Sequence, residues 1–171
     1  MILKNNDYLN IIKKLRKEIV KQSELPPENV LNALSDNGTR LSQIINETIT
    51  NSFESTDSFI IFELIEDTSS STLIATDDDG GESIVPYNFN LKIYGDLSHD
   101  VAQKISIRLK SSEVAFNLRE NGLHIKSISS ATPTHEFINN TLWMRVDITI
   151  NLNIRYYISN LEDVGYFSKG V

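Results

Sequence analysis

Residues 142–158 read LWMRVDITINLNIRYYI, and every even-numbered position in this run is apolar. The odd positions are polar except for Trp143 and Tyr157, and such strict alternation predicts a β-strand with one buried face and one solvent-facing face. At about 3.3 Å per residue the run spans roughly 55 Å, several times the length of a common strand. We therefore expect the strand to bend, or to leave its own sheet from about Asn151 onward and pair with something else.

The composition is that of a folded protein with one sizeable core. The chain has 171 residues, of which 40% are hydrophobic, and this suits a single domain. It contains no cysteine, so the sequence excludes disulfides, thiolate metal sites and a thiol nucleophile, and it fits assembly in a reducing compartment. The beginning of the chain lacks the pattern of a signal peptide, and no apolar run approaches the roughly 20 residues of a membrane helix.

The net charge of −7 is unevenly distributed. Residues 1–21 carry six basic and two acidic side chains, whereas residues 57–82 carry eight acidic side chains and no basic one. An acidic body disfavours general nucleic-acid binding, which needs Lys and Arg against phosphates. The basic segment is typical of a solvated helix face, and contact with an acidic partner is the alternative.

The chain predicts an α+β fold with a mostly antiparallel sheet. Apolar spacing indicates a helix over residues 8–19, a short second helix after Pro27 and a third helix over 97–110 with a helical turn to 119. Strands are expected at 59–65, 85–93 and from 123, before the long closing strand. The order is α-α-β-β-α-β-β, two hairpins with helices on one face, in one domain over 1–160 whose helical part is 1–35. Residues 161–171 are expected to form an extended tail.

Residues able to carry chemistry are few. His99, His124 and His135 lie far apart and lack metal-ligand spacing, and no phosphate-binding glycine loop or activated nucleophile is present. The cluster Asp77, Asp78, Asp79 and Glu82 lacks the alternate spacing of a calcium loop, so a solvated hairpin tip is favoured over a weak divalent-ion site. We predict no enzyme, with no catalytic, cofactor-binding or metal-binding residue.

The odd-numbered face of the closing strand is the predicted contact surface. Arg, Trp and Tyr are enriched where protein interfaces are strongest, and this face carries such residues. Aromatic residues in an otherwise unstructured tail also favour docking on a partner. The alternative is that Trp143 packs under a helix while Arg145 and Asp147 form an ordinary pair. The predicted subunit or partner contacts are Trp143, Arg145, Asp147, Arg155, Tyr157, Tyr166 and Phe167.

Three stretches carry a resemblance: NLKIYGD at 90–96, LRENGL at 118–123 and FINNTLWMRVD at 137–147. With the Ala-containing helix between the first two, they give a strand ending in Tyr-Gly, a helix, a Gly-led strand and a last strand opening with an aromatic residue and Arg. Over roughly residues 57–158 the chain resembles neck proteins of tailed bacteriophages, in particular the tail terminator and head-to-tail joining group.

The resemblance implies a structural subunit of the virion, assembled in the host cytoplasm. Such subunits form a ring, commonly a hexamer, that caps the tail tube, stops its polymerisation and joins it to the head connector. DNA passes through the lumen without specific binding, and an acidic channel wall of Asp77, Asp78, Asp79 and Glu82 would repel it. The alternatives are another head-completion or baseplate component, or a cytoplasmic ligand-binding α+β domain or small enzyme.

Overall fold

A computed structural model describes residues 5–33, 53–54, 56–67, 72–77, 80–138 and 140–158. Within them, three α-helices pack on one face of a single seven-stranded sheet. The helices are α1 (Asn5–Ser23), α2 (Ser98–Leu109) and α3 (Ser112–Glu120). The strands are β1 (Val30–Asn32), β2 (Phe59–Glu66), β3 (Thr72–Asp77), β4 (Gly80–Tyr94), β5 (Leu123–Ile128), β6 (Thr132–Ile138) and β7 (Thr141–Ile158).

Two long antiparallel strands, β4 and β7, form the spine of the sheet. They pair without a register shift from Gly81 opposite Ile158 to Tyr94 opposite Arg145. On the outer side of β4, β3 pairs with its first half and β2 with its second half. On the outer side of β7, β6 pairs with its first half and β5 with its second half. The hairpins β3–β4 and β6–β7 therefore lie at opposite ends of the sheet.

The expectation that the closing strand leaves its sheet after Asn151 is wrong, and a bend there stays a prediction. Strand β7 stays paired with β4 through Ile158, and with β5 as far as Ile154. The reason is that β4 is fifteen residues long and offers a partner for nearly all of β7. Because β4 and β7 have similar lengths, nearly the whole of β7 is paired, whereas a shorter partner strand would leave part of it unpaired.

The α+β class and the mostly antiparallel sheet are confirmed, while the element order is corrected. The predicted second helix is a 3-10 turn over Pro27–Asn29 followed by β1, which runs parallel to β2 with Val30 opposite Ile60. One helical turn satisfies few of its own backbone groups, whereas a sheet edge offers ready partners to β-branched Val30. Strand β6 is an additional strand, which the sequence did not predict because its exposed faces carry little apolar patterning.

The main core lies between the helices and one face of the sheet, here called the helix-side face. The even positions of β7, the odd positions of β4 and the apolar stripe of α1 meet there, as their periodicity predicts. The largest fully buried side chains of this core are Phe62, Phe89, Ile19, Ile60, Leu91, Ile93, Ile105, Leu123 and Ile148.

Helix α1 is tied to the sheet and to α2 by polar contacts at both ends. The Tyr8 hydroxyl donates to the carbonyl of Leu64, at 3.0 Å. Just past the C-terminus of α1, Glu24 adopts φ of 61° and accepts from Lys104 at 2.7 Å and from Arg108 at 2.6 Å. The hydrogen bonds from Lys104 and Arg108 lower the pKa of Glu24 to about 2.

Glu24→Gln is expected to cause a small loss of stability that depends on pH. Because the pKa of Glu24 is lower in the folded chain than its ordinary 4.5, its ion pairs stabilise the fold above that pH and lose this effect as pH falls toward 2. Thermal unfolding from pH 7 to pH 2.5 should show the two proteins converging, and 1 M salt should also shrink the difference. Glu113→Gln, on the exposed side of α3, is the control. An unchanged difference at low pH would contradict the assignment.

The predicted tail, 161–171, lies outside the described residues, and the single-domain boundary at residue 160 stays a prediction. Among the helices of the described ranges, none combines the length and the apolar content needed to cross a membrane.

Candidate assembly surface

The face of the sheet turned away from the helices, here called the open face, carries a polar network at the end where β6 pairs with β7. Arg145 donates to Glu136 at 2.6 Å and to Asp147 at 2.8 Å, and the Tyr94 hydroxyl donates to the same Glu136 oxygen at 2.7 Å. Register explains the meeting, because Tyr94 of β4 lies opposite Arg145, while Glu136 of β6 lies opposite the neighbouring Trp143. Side chains of three strands therefore meet at one carboxylate oxygen of Glu136.

Interactions within this network stabilise the charged forms of Glu136 and Arg145. Burial alone would raise the pKa of Glu136, but hydrogen bonds from Tyr94 and Arg145 outweigh it and hold that pKa below its ordinary value. Burial also opposes the charge on Arg145, yet Glu136 and Asp147 together raise its pKa above the usual value. Burial and Glu136 raise the pKa of Tyr94, which keeps its hydroxyl a donor. The Arg145 side chain is 18% exposed, and its ion pairs with Glu136 and Asp147 both lie within one chain.

Trp143 lies inside the subunit, in a second apolar cluster on the open face. Its residue is 2% exposed, and its ring meets Phe59 edge-on at 5.5 Å between centroids. Phe59 in turn stacks on Tyr94 and on Phe53, each at 4.7 Å. Trp143 thus packs in the same cluster as Tyr94 of the polar network, and among the described residues no helix belongs to this cluster. A contact of Trp143, Arg145 or Asp147 with a neighbouring subunit stays a prediction.

The other predicted contact residues lie elsewhere or outside the described residues. Arg155 is exposed on the open face, opposite Ile84 at the far end of β7. The backbone of Tyr157 pairs with Glu82, and Asp77 is the last residue of β3, in the β3–β4 hairpin. Asp78, Asp79, Tyr166 and Phe167 lie outside the described residues. Asp77 and Glu82 therefore lie in a hairpin at the opposite end of the sheet from the Arg145 network.

An exposed apolar surface that the sequence analysis missed lies on the β6–β7 hairpin. Phe137, Leu142 and Met144 are 74%, 50% and 48% exposed, and we call these three residues the apolar hairpin patch. Phe137 lies directly opposite Leu142, and Met144 is two positions further along the same face. The alternation of β7 assigned Leu142 and Met144 to the core, but the helices do not cover this end of the helix-side face.

The outer edge of β6 is open in the part of the chain that the structure describes. Strand β6 pairs with β7 alone, and Pro133 within it fits an edge position because proline lacks an amide donor. An open edge next to exposed apolar side chains is the arrangement that a further segment of chain can join.

The basic face of α1 is solvated. Lys13, Lys14, Lys17 and Lys21 are exposed, whereas Arg16 turns inward and donates to the carbonyls of Val30 and Pro27. The positive charge of the N-terminal region is thus partly used to hold the 3-10 turn and β1 against α1.

The described residues offer little to a metal or a small ligand. His99, His124 and His135 are all exposed, and no group of three potential metal-ligating side chains occurs in the described ranges. A cavity of about 10 Å³ beneath α1 has room for one water at most. A shallow depression of about 250 Å³ beside His124 and Arg119 is smaller than typical ligand pockets of roughly 300–1,000 Å³.

Comparison with known proteins agrees with an assembly role. The family described as "Phage neck terminator protein" matches residues 29–170, most of the chain. The match spans both hairpins, the β4–β7 spine and helices α2 and α3, and omits α1. No curated protein matches the chain.

Proposed function

This chain belongs to the phage neck terminator protein family, and from that premise we propose that it is the ring subunit that caps the tail tube. The family places it among structural proteins of the phage neck, where head and tail join. The proposed ring, commonly of six subunits, stops growth of the tube and presents its other surface to the head connector. The match over residues 29–170 is the observation that carries the proposal.

The geometry supports an assembly role in two further ways. A hairpin at each end of the sheet gives one subunit two separated contact regions, as a closed ring of identical subunits requires. Exposed Phe137, Leu142 and Met144 also give one of these hairpins an apolar surface with no cover within the described residues.

The acidic hairpin is the proposed wall of the channel. Asp77 and Glu82 lie in the β3–β4 hairpin, at the opposite end of the sheet from the apolar hairpin patch, and Asp78 and Asp79 follow Asp77 in the sequence. Carboxylates facing the lumen would repel phosphates and let DNA pass without binding it. In this arrangement the partners are other copies of the chain, the tail tube protein and the head connector, within a neck assembled in the host cytoplasm.

Removing the gene from the phage that encodes this protein is expected to give tails of abnormal length. An uncapped tube has no stop to polymerisation, so electron microscopy should show a broad distribution of tail lengths and few joined particles. A plasmid copy of the gene should restore uniform tails. Normal tails next to heads that leak DNA would instead identify a head-completion protein and overturn the capping role. Negative staining of the purified protein should show rings with a central hole.

A further inference from the structure

The apolar hairpin patch lacks cover from α1, α2 and α3, and its composition fits an aromatic anchor. The patch presents two unbranched or branched aliphatic side chains, Met144 and Leu142, and one ring, Phe137, on the paired strands β6 and β7. Met and Phe adapt well to a second aromatic side chain, because thioether–ring and ring–ring contacts are both favourable. The open edge of β6 beside the patch adds unpaired backbone groups.

We propose that the C-terminal segment of a second copy, residues 161–171, docks on the apolar hairpin patch. That segment reads LEDVGYFSKGV, and Tyr166 and Phe167 are its two aromatic residues. The two aromatic rings supply the apolar surface that the patch needs, and the extended segment can pair with the edge of β6. The inference deepens the proposed ring and rests on it, because the contact links one subunit to the next.

Chain geometry separates the patch of a subunit from its own C-terminal aromatics. Leu142 and Ile158 lie sixteen residues apart on β7, which is roughly 50 Å along a strand. Phe167 follows Ile158 by nine residues, and nine fully extended residues reach at most about 32 Å. Even if the C-terminal segment folded straight back along β7, the rings of Tyr166 and Phe167 would not reach the patch of their own subunit. A neighbouring copy can present its patch within reach.

The direction of the contact also favours a closed ring. The segment leaves one end of β7 and the patch lies at the other end, so the two surfaces of each subunit are different. Contacts of this heterologous kind close into rings when the rotation per subunit allows it. Three side chains fall well short of the roughly 800 Å² per partner of a stable interface. The patch therefore serves as an anchor point within a larger contact, and its effect repeats around the ring.

Cysteine cross-linking tests the contact directly, because the chain has no cysteine of its own. Exposed His135 lies beside the patch, and Ser168 follows Phe167, so His135→Cys and Ser168→Cys keep all the proposed anchors. A mixture of the two single variants, treated with a short bis-maleimide, should give a covalent dimer that contains one of each. Asn117→Cys, exposed on α3, should give no product with Ser168→Cys.

The double variant carrying both cysteines should give a ladder of covalent oligomers. The inference would be overturned if rings form normally but give no mixed dimer, or if the double variant links only within the monomer. Either result would leave the proposed ring itself intact. The absence of rings in the unmodified protein, together with normal tail lengths in the gene deletion, would instead count against the proposed function.

A matched pair of aromatic substitutions provides the energetic test. Phe137→Ser and Phe116→Ser each remove one exposed phenylalanine, 74% and 61% exposed, from the hairpin and from α3 respectively. Both variants should have melting temperatures close to that of the unmodified subunit, because neither ring is buried. Sedimentation should show self-association at least tenfold weaker for Phe137→Ser alone. Deleting residues 161–171 should weaken self-association by a similar factor. Combining the deletion with Phe137→Ser should weaken it little further, because both changes remove the same contact. Additive losses would show that residues 161–171 do not dock on Phe137.

Discussion

A Gly95→Ala subunit is expected to lose about 3 kcal/mol or more of folding free energy, a large share of the 5–15 kcal/mol typical of a domain. Gly95 adopts φ of +98°, which a residue with a Cβ atom adopts only at a cost of about 1–3 kcal/mol. An added Cβ would also lie 2.2 Å from the carbonyl oxygen and 2.7 Å from the carbonyl carbon of Asp57. These are backbone atoms that cannot swing aside, and overpacking typically costs a further ~1–3 kcal/mol.

The loss is large because Gly95 joins three parts of the fold. Its amide donates to the carbonyl of Met144 at 3.1 Å, and its carbonyl accepts from Ser98 at 3.0 Å at the start of α2. Its close approach to Asp57 positions the chain that enters β2. Shifting the backbone to admit a methyl group would therefore disturb β2, β4 and β7 at once.

Urea unfolding followed by tryptophan fluorescence measures this loss well, because the one tryptophan, Trp143, is buried near the same end of the sheet. Gly122→Ala is the control. Gly122 also has positive φ, at +75°, but an added Cβ would come no nearer than 3.4 Å to the carbonyl oxygen of Arg155. Gly122→Ala should lose about 1–2 kcal/mol of folding free energy. Equal losses in the two variants would show that the contact with Asp57 does not matter.

Arg145→Met is expected to destabilise the subunit itself by about 2 kcal/mol at pH 7. Removing one partner from a buried ion pair costs roughly 3–5 kcal/mol, and the one-third exposure of Glu136 and Asp147 reduces that figure. The remaining carboxylates would lie close together without a cation between them. The folded-state pKa of Glu136 is lowered, so its stabilising effect is fully present above the ordinary value of 4.5 and is lost as pH falls below that value, through the lowered folded-state pKa.

Urea unfolding at pH 7 and at pH 4 should therefore show the loss in Arg145→Met shrinking with acid. Adding Glu136→Gln and Asp147→Asn to Arg145→Met should recover part of the stability, because neutral side chains remove the repulsion. Should Arg145 instead serve only a neighbouring subunit, Arg145→Met would unfold like the unmodified subunit and lose self-association alone. The same pair of measurements thus decides between an internal role and an interface role for this residue.

Much of the fold was predictable from local pattern. The alternation of β7 and β4 and the stripe of α1 placed most of the core on the correct faces, and the α+β class followed from them. The short elements were not predictable in the same way. The stretch after Pro27 is too short for its apolar pattern to distinguish a helix from a strand. Strand β6 carries exposed residues on both faces, so it shows no clear alternation. Its pairing with β7 is visible only once the two-residue turn at Asn140, with φ of 63°, brings the strands together.

The candidate site was predictable only in part. Trp143, Arg145 and Asp147 were selected as a neighbouring group, but Tyr94 and Glu136, which complete the Arg145 network, come from two other strands. Likewise Leu142 and Met144 follow the same alternation as buried Val146 and Ile148, and nothing in the pattern marks where cover by the helices stops.

The alternation of β7 therefore established that one face is apolar, whereas the packing of the helices decided which part of that face stays exposed. Periodicity is a property of local backbone geometry, since side chains two residues apart in a strand point the same way in any sheet. Register and coverage depend on partners far away in the chain, such as Tyr94 opposite Arg145 and the α2–α3 layer above Ile150. Those long-range contacts enclose the Arg145 network and leave the apolar hairpin patch exposed.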